Sequence, residues 1–202
     1  MANAKVTAHI KYISSNNLKL QDMIFTETKL KGAYVIDIKK IEDDRGFFGR
    51  SFCRNEMREH GLNGEIVQAN TSRTHLKGTL RGMHFQIPPY EEAKLIRCVR
   101  GSIFDAIIDL RPGSPTFMQW FGEELSADNY RMLYIPEGFA HGYLSLTDNV
   151  EVYYNVTAFY TPGAEKGIRW DDKGFNIKWP IEPVVISEKD RAHSDFSPEM
   201  LK

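Results

Sequence analysis

From Met23 onward this chain is cut into short apolar-rich runs by clusters of turn-forming residues, and that spacing leaves few folds open to it. Asp43-Asp44-Arg45-Gly46, Arg111-Pro112-Gly113-Ser114-Pro115 and Thr161-Pro162-Gly163 are such clusters. Glycine supplies backbone conformations that other residues avoid, and proline fixes φ and removes a donor, so each cluster ends a strand. Short strands at regular spacing make an all-β sandwich or barrel. One short helical window, Asn55–His60, is the only helix of note besides the C-terminal tail. Residues 1–22 are polar and contain the turn run Ser14-Ser15-Asn16-Asn17. They read as an N-terminal extension, and residues 23–202 as a single domain.

The 202 residues suffice for one domain with a real core. Formal net charge is −1, so nothing points to nucleic acid or an anionic membrane as a partner, and any phosphate must be held by a few placed residues. Cys53 and Cys98 are in neither a CxxC nor a Cys/His metal spacing. Cys98 falls in an apolar strand pattern and reads as a buried thiol. No apolar run approaches the roughly 20 residues that span a bilayer, and the N-terminus lacks the apolar core of a signal peptide. A soluble cytoplasmic protein is expected.

Alternate residues of a strand share a face. In Lys94–Arg100, Lys94 shares its face with Ile96 and Cys98. In Val152–Ala158, Tyr154 shares its face with Val152, Val156 and Ala158. Both are therefore expected to point inward, and an inward ammonium needs a partner or a task. In Ile103–Leu110 the even set Phe104, Ala106, Ile108 and Leu110 is wholly apolar, with Asp105 and Asp109 on the other side.

The chemistry concentrates in Gly78-Thr79-Leu80-Arg81-Gly82-Met83-His84-Phe85-Gln86, followed by Lys94. A guanidinium holds phosphate, an imidazole takes a proton near neutral pH, and an ammonium stabilises an oxyanion. A core histidine bonded to backbone accounts for His84 equally well when that segment is read alone. His141 sits in the Pro/Gly-rich turn Ile135–Gly142, where anion binding or metal ligation competes with a structural role. Asp190, in Ser187-Glu188-Lys189-Asp190, reads by itself as a solvated charged turn. The aromatic residues Tyr153, Tyr154, Phe159 and Tyr160 read as packing on composition alone. A metal site would need a closely spaced His-x-His pair with a following Glu and a later His. The residue two after His84 is Gln86, so His84, Glu91, Glu92 and His141 make a poor set and no metal is expected.

Taken together, Asp44-Arg45-Gly46-Phe47-Phe48, Gln68-Ala69-Asn70, Leu80–Gln86, Lys94–Arg97, Asp109-Leu110-Arg111, Ser114–Phe117, Ile135–Gly142 and Ser187–Asp190 resemble the dTDP-4-dehydrorhamnose 3,5-epimerase family, in family order along the chain. The resemblance implies a cupin-like jelly roll (a double-stranded β-helix) with a few short helices, in a homodimer that exchanges N-terminal strands. It implies a cofactor-independent, metal-free epimerase inverting C3 and C5 of a nucleotide-linked 4-keto-6-deoxyhexose. By position, His84 resembles the general base, paired with Asp190, which would orient it and favour its protonated form. Tyr154 resembles the acid on the opposite face, and Lys94 the group near the C4 oxygen. Arg81 and His141 resemble pyrophosphate or sugar contacts, with Gln68 and Asn70 nearby, and Tyr160 the residue that stacks on the base. Glu165 and Lys189 resemble further binding positions, and Arg45 a contact from the partner subunit.

The chain also departs from the family pattern. The position three beyond Phe47, usually acidic and associated with the nucleotide, is Arg50, which opens CDP- or GDP-linked sugars as substrates. Asn155 replaces the lysine that usually follows the tyrosine, and Lys173 the proline that usually follows the aspartate. The rival readings are a C3-only or C5-only epimerase, a non-catalytic cupin-like sugar-binding protein and a metal-dependent cupin enzyme.

Overall fold

The structure, a computed structural model, describes residues 22–202; the extension expected over residues 1–22 lies, apart from Asp22, outside the described residues. In chain order the strands are β1 (Ile24–Glu27), β2 (Tyr34–Asp37), β3 (Ile41–Asp43), β4 (Gly46–Phe48), β5 (Gln68–Thr74), β6 (Thr79–Gln86), β7 (Lys94–Arg100), β8 (Ser102–Asp109), β9 (Trp120–Ser126), β10 (Met132–Ile135), β11 (Phe139–Ser145), β12 (Val150–Val156), β13 (Glu165–Gly167) and β14 (Val185–Ile186). Helix α1 spans Arg54–Glu59, close to the expected window, and α2 spans Glu188–Arg191.

One six-stranded sheet runs in the order β1-β2-β10-β7-β12-β5. The other runs β13-β6-β11-β8-β9, with β14 pairing β6 in parallel. A separate β3–β4 hairpin stands beside them. This is the expected cupin-like jelly roll. The core between the sheets takes Val35, Ile96, Cys98, Leu133 and Val152 from the first and Ile103, Ile107, Leu125, Phe139 and Tyr143 from the second. Full burial of a side chain such as Ile107 contributes roughly 2 kcal/mol of hydrophobic stabilisation. Cys98 is buried here, and desolvation pushes its thiol up to about 11.

Both sheets are also covered on the outside. Met57 of α1 and Leu62 pack with Ile36, Leu95 and Met132 over the first sheet. Over the second, Ile168 and Phe175 close on Met83, Phe85, Ala106, Ile108, Leu110 and Ala140, joined by Trp179, Phe196 and Leu201. This outer layer explains the β8 pattern. Its apolar even residues face the covering segment, whereas Asp105 shares the interior-facing side with Ile103 and Ile107. The apolar face of β8 is thus the outward one, because a second hydrophobic layer lies on that side.

Strict alternation also fails within β6. His141 pairs with His84 and Tyr143 with Arg81, so two residues of β6, Gly82 and Met83, oppose Gly142 alone on β11, which is a β-bulge. Gly82 sits in the bulge at φ +130°, and a Cβ there would come within 2.4 Å of the Gly142 Cα. Two facing glycines let the strands meet at this point. The extra residue brings Arg81 and His84, three positions apart, to the same interior face.

Candidate active site

A cavity of about 650 Å³ opens between the sheets, and Arg81, His84 and Gln86 of β6 line it from the second sheet. His84 Nε2 donates to Asp190 Oδ1 at 2.8 Å, leaving Nδ1 as the other ring nitrogen. Asp190 arrives from α2, more than a hundred residues along the chain. Ser187 caps that helix, its hydroxyl accepting the Asp190 N–H at 3.0 Å, which satisfies a donor the helix itself cannot pair. Asp190 Oδ2 also accepts the Gly82 N–H at 3.3 Å. Burial alone would raise the Asp190 carboxyl. The hydrogen bond and positive field of His84, with the Gly82 and Ser187 contacts, outweigh it and hold the carboxyl below its ordinary value. The solvated turn suggested by its sequence is in fact a buried carboxylate.

The first sheet supplies the opposite wall. Tyr154 of β12 and Lys94 of β7 line the cavity, as their strand faces predict. Burial, then the negative charge of Glu92, push the Tyr154 phenol up, so it carries its proton at neutral pH. Lys94 Nζ is bonded to Glu92, so the inward lysine has a carboxylate partner. A base–carboxylate dyad on one sheet therefore faces a protonated phenol and an ammonium on the other. This arrangement can remove a proton from one side of a bound molecule and deliver one to the other.

His141, beside His84 across the β6–β11 ladder, donates from Nε2 to Asp105 Oδ1 at 2.6 Å. Arg81 Nε donates to Thr74 Oγ1 at 3.1 Å and its Nη2 to the Arg73 carbonyl at 3.2 Å, which fixes the guanidinium at the wall. Asn70 pairs with Tyr154 across the β5–β12 ladder. Gln68 Oε1 accepts the Tyr160 N–H at 2.9 Å. Gln86 accepts the Thr161 N–H at 2.8 Å and donates to the Phe159 carbonyl at 3.3 Å, so the segment carrying Tyr160 is pinned from both sheets. Tyr160 remains exposed at the rim, its ring open to stacking. Glu165 and Lys189 pair beside it.

Arg45 and Arg50 are the exceptions among the expected site residues. Arg45 is exposed on the β3–β4 hairpin, paired with Asp43, and does not line its own chain's cavity. Arg50 is not a cavity residue either. It pairs with Glu56 of α1, whose other oxygen accepts the Met23 N–H at 2.7 Å. The residue that departs from the family pattern thus ties α1 to the start of the fold.

His193 escaped the sequence reading, and Glu92 and Asp105 were named there without the partners the structure gives them. Glu92 lies in the loop before β7, and only its bond to Lys94 shows that it reaches the cavity. Asp105 was visible as the charged residue opposite an apolar face, and only the outer layer shows that this side is interior. His193 lies beside the dyad with no sequence signal. Among the described residues, the ligand-capable grouping is His84, Asp190 and His193, whose nearest such atoms lie within 4.8 Å of one another. The set weighed from the sequence is not that grouping: Glu92 is taken by Lys94, and His141 by Asp105.

Comparison with known proteins agrees with this geometry. The family model described as dTDP-4-dehydrorhamnose 3,5-epimerase matches residues 27–198. An enzyme of that name from Shigella flexneri is 45% identical over 165 residues, covering 81% of this chain and 91% of its own. The crystal structure of a Bacillus anthracis dTDP-4-dehydrorhamnose 3,5-epimerase with TDP and PPi bound superposes with a TM-score of 0.83 at 40% identity, covering 87% of this chain and all of that one. A Legionella pneumophila dTDP-6-deoxy-D-glucose-3,5-epimerase in complex with dTDP-4-keto-L-rhamnose gives 0.80 at 38%, covering 86% and 93%. With the fold, the dyad and the facing tyrosine in place, the chain belongs to the dTDP-4-dehydrorhamnose 3,5-epimerase family and is an isomerase.

Proposed function

We propose that this protein inverts C3 and C5 of dTDP-4-dehydro-6-deoxy-D-glucose to give dTDP-4-dehydro-L-rhamnose. The observation that carries the reading is the His84–Asp190 dyad on one wall of the cavity with Tyr154 on the other. A proton alpha to a ketone is weakly acidic, so its removal needs a base and a stabilised enolate. His84 removes the proton through Nδ1 while Asp190 fixes the ring and stabilises the imidazolium. Lys94 meets the negative charge that develops on the C4 oxygen, and Tyr154 returns a proton to the opposite face of the carbon. The ketone activates both C3 and C5, so the same groups act twice and the reading calls for no cofactor. Arg81, His141 and Lys189 hold the diphosphate and sugar, with Gln68, Asn70 and Glu165 around them, and Tyr160 stacks on the base.

The dTDP-linked substrate is supported by the ligands of the related structures. We further read the protein as a cytoplasmic homodimer exchanging N-terminal strands, with Arg45 reaching the partner's cavity. β1 is the edge of its sheet, and the Phe48 side chain beside Arg45 is exposed. Among the described residues no helix is long and apolar enough to cross a membrane.

Turnover in deuterated water tests the reaction. Label at both C3 and C5 is expected, and label at one carbon alone would refute double inversion. His84→Ala is expected to abolish exchange. Tyr154→Phe is expected to keep exchange at the first carbon while losing inversion. Both variants are expected to bind dTDP, because neither group contacts the nucleotide. Unchanged inversion in both would refute the assignment of His84 and Tyr154 as the proton-transfer groups, and binding of dTDP with no turnover by wild type would make the protein a sugar-binding module.

A further inference from the structure

Among the described residues, His193 is the one titratable side chain packed against the dyad that the proposed chemistry leaves without a role. Its ring stands edge-on to His84, with centroids 5.8 Å apart and planes at 83°. Its Nε2 lies 3.7 Å from Asp190 Oδ1, is shielded from solvent, and has no hydrogen-bond partner among the described residues. The ring has a slot made for it. Gly167 of β13 pairs with His84 in the ladder, and a Cβ at position 167 would fall 2.1 Å from His193 Nε2 and 2.3 Å from its Cε1. No residue but glycine leaves room for an imidazole there.

We propose that His193 is a positioning residue for the His84–Asp190 dyad, seated in the slot that Gly167 leaves open. Its flat ring closes the side of the dyad away from the sugar. Asp190 has one short bond to His84, and the His193 ring limits how far the carboxylate and the imidazole can swing from it. Water that would bond the carboxylate, and loosen its hold on His84, is excluded. The role requires an uncharged ring, since a cationic one would compete with His84 for the same oxygen. The groups facing His193 are His84 on β6, Asp190 and Lys189 on α2, and Glu165 on β13. Desolvation first, then the charge of His84, lower its tendency to protonate, so His193 is neutral at neutral pH.

The proposal rests on His84 acting as the base, and its test separates the two. His193→Ala and Gly167→Ala are each expected to lower kcat about tenfold while KM changes little, the loss that follows when a catalytic group is misplaced but substrate binding is spared. His193→Gln fills the slot without titrating. It is expected to recover most of kcat near neutral pH, with a shallower acid limb than wild type, because a second protonation no longer competes for Asp190. Without substrate, the His193 imidazole is expected by NMR to titrate below the ordinary histidine value and to move back up in His84→Asn. Full kcat in both His193→Ala and Gly167→Ala would overturn the proposal. So would an ordinary His193 titration that ignores residue 84. Loss of all turnover in wild type would instead strike the functional reading, and the NMR titration would still decide the coupling.

Discussion

Replacing Asp190 by asparagine tests whether this carboxylate sets the tautomer of His84. The two side chains are nearly isosteric, so the cavity is unchanged in shape. Two contacts decide how the amide sits. The backbone N–H of Gly82 donates to Oδ2 at 3.3 Å, and His84 Nε2 donates to Oδ1 at 2.8 Å. Both partners are donors, and an amide offers only one oxygen. If that oxygen stays on the backbone N–H, which has no tautomer to change, the NH₂ faces His84 Nε2. His84 must then accept at Nε2 and carry its proton on Nδ1, the atom that should take the proton from the sugar. The base is blocked without being removed. The corresponding change in a serine-protease triad costs roughly 10⁴ in kcat, about 5 kcal/mol of transition-state stabilisation, and a loss of that order is expected here. Steady-state kinetics on the dTDP-linked keto sugar reads kcat and KM, and calorimetric dTDP binding checks that the cavity is intact. Retention of kcat within about tenfold of wild type would show that Asp190 does not set the His84 tautomer.

Three further outcomes are expected. Gly82→Ala puts a Cβ 2.4 Å from the Gly142 Cα at a positive φ, so it should cost about 3 kcal/mol in urea denaturation and lower activity by displacing Arg81 and His84; wild-type stability would refute the bulge's role. The folded-state Asp190 carboxyl lies below its ordinary value of 3.8, so the stability it contributes is fully present above that value and is lost as pH falls through the lower folded one. The melting-temperature gap between wild type and Asp190→Asn should accordingly shrink in acid below pH 3.8, and a gap that widens there would contradict the sign. Cys98, buried and pushed up to about 11, should resist iodoacetamide at mildly alkaline pH in the folded protein while half-buried Cys53 is alkylated, as peptide mass spectrometry would read.

Much of the architecture was legible from short-range pattern. Turn chemistry predicts an all-β chain with a helix at residues 55–60, and α1 occupies Arg54–Glu59. Alternation within β7 and β12 turns Lys94 and Tyr154 inward, because side-chain direction in a regular strand is fixed by the backbone itself. Cys98 followed from the same parity. Alternation is not enough where the pairing is irregular. Arg81 and His84 are three apart, and a uniform strand would set them on opposite faces; the bulge against β11 sets them on one.

Side-chain identity therefore settled which groups are available, and near-neighbour spacing settled which way most of them point, since both depend on bonds a few residues long. The tertiary structure decided who meets whom. It turned Asp190 from a surface charge into the partner of His84, gave Lys94 and His141 their carboxylates, paired Arg50 with Glu56 of α1, and laid His193 on Gly167. Each of those contacts other than Lys94–Glu92 and Arg50–Glu56 joins residues more than twenty apart in sequence. Which of them form depends on strand order, register and the layer that residues 168–201 add over the second sheet, and those are properties of the packed chain as a whole.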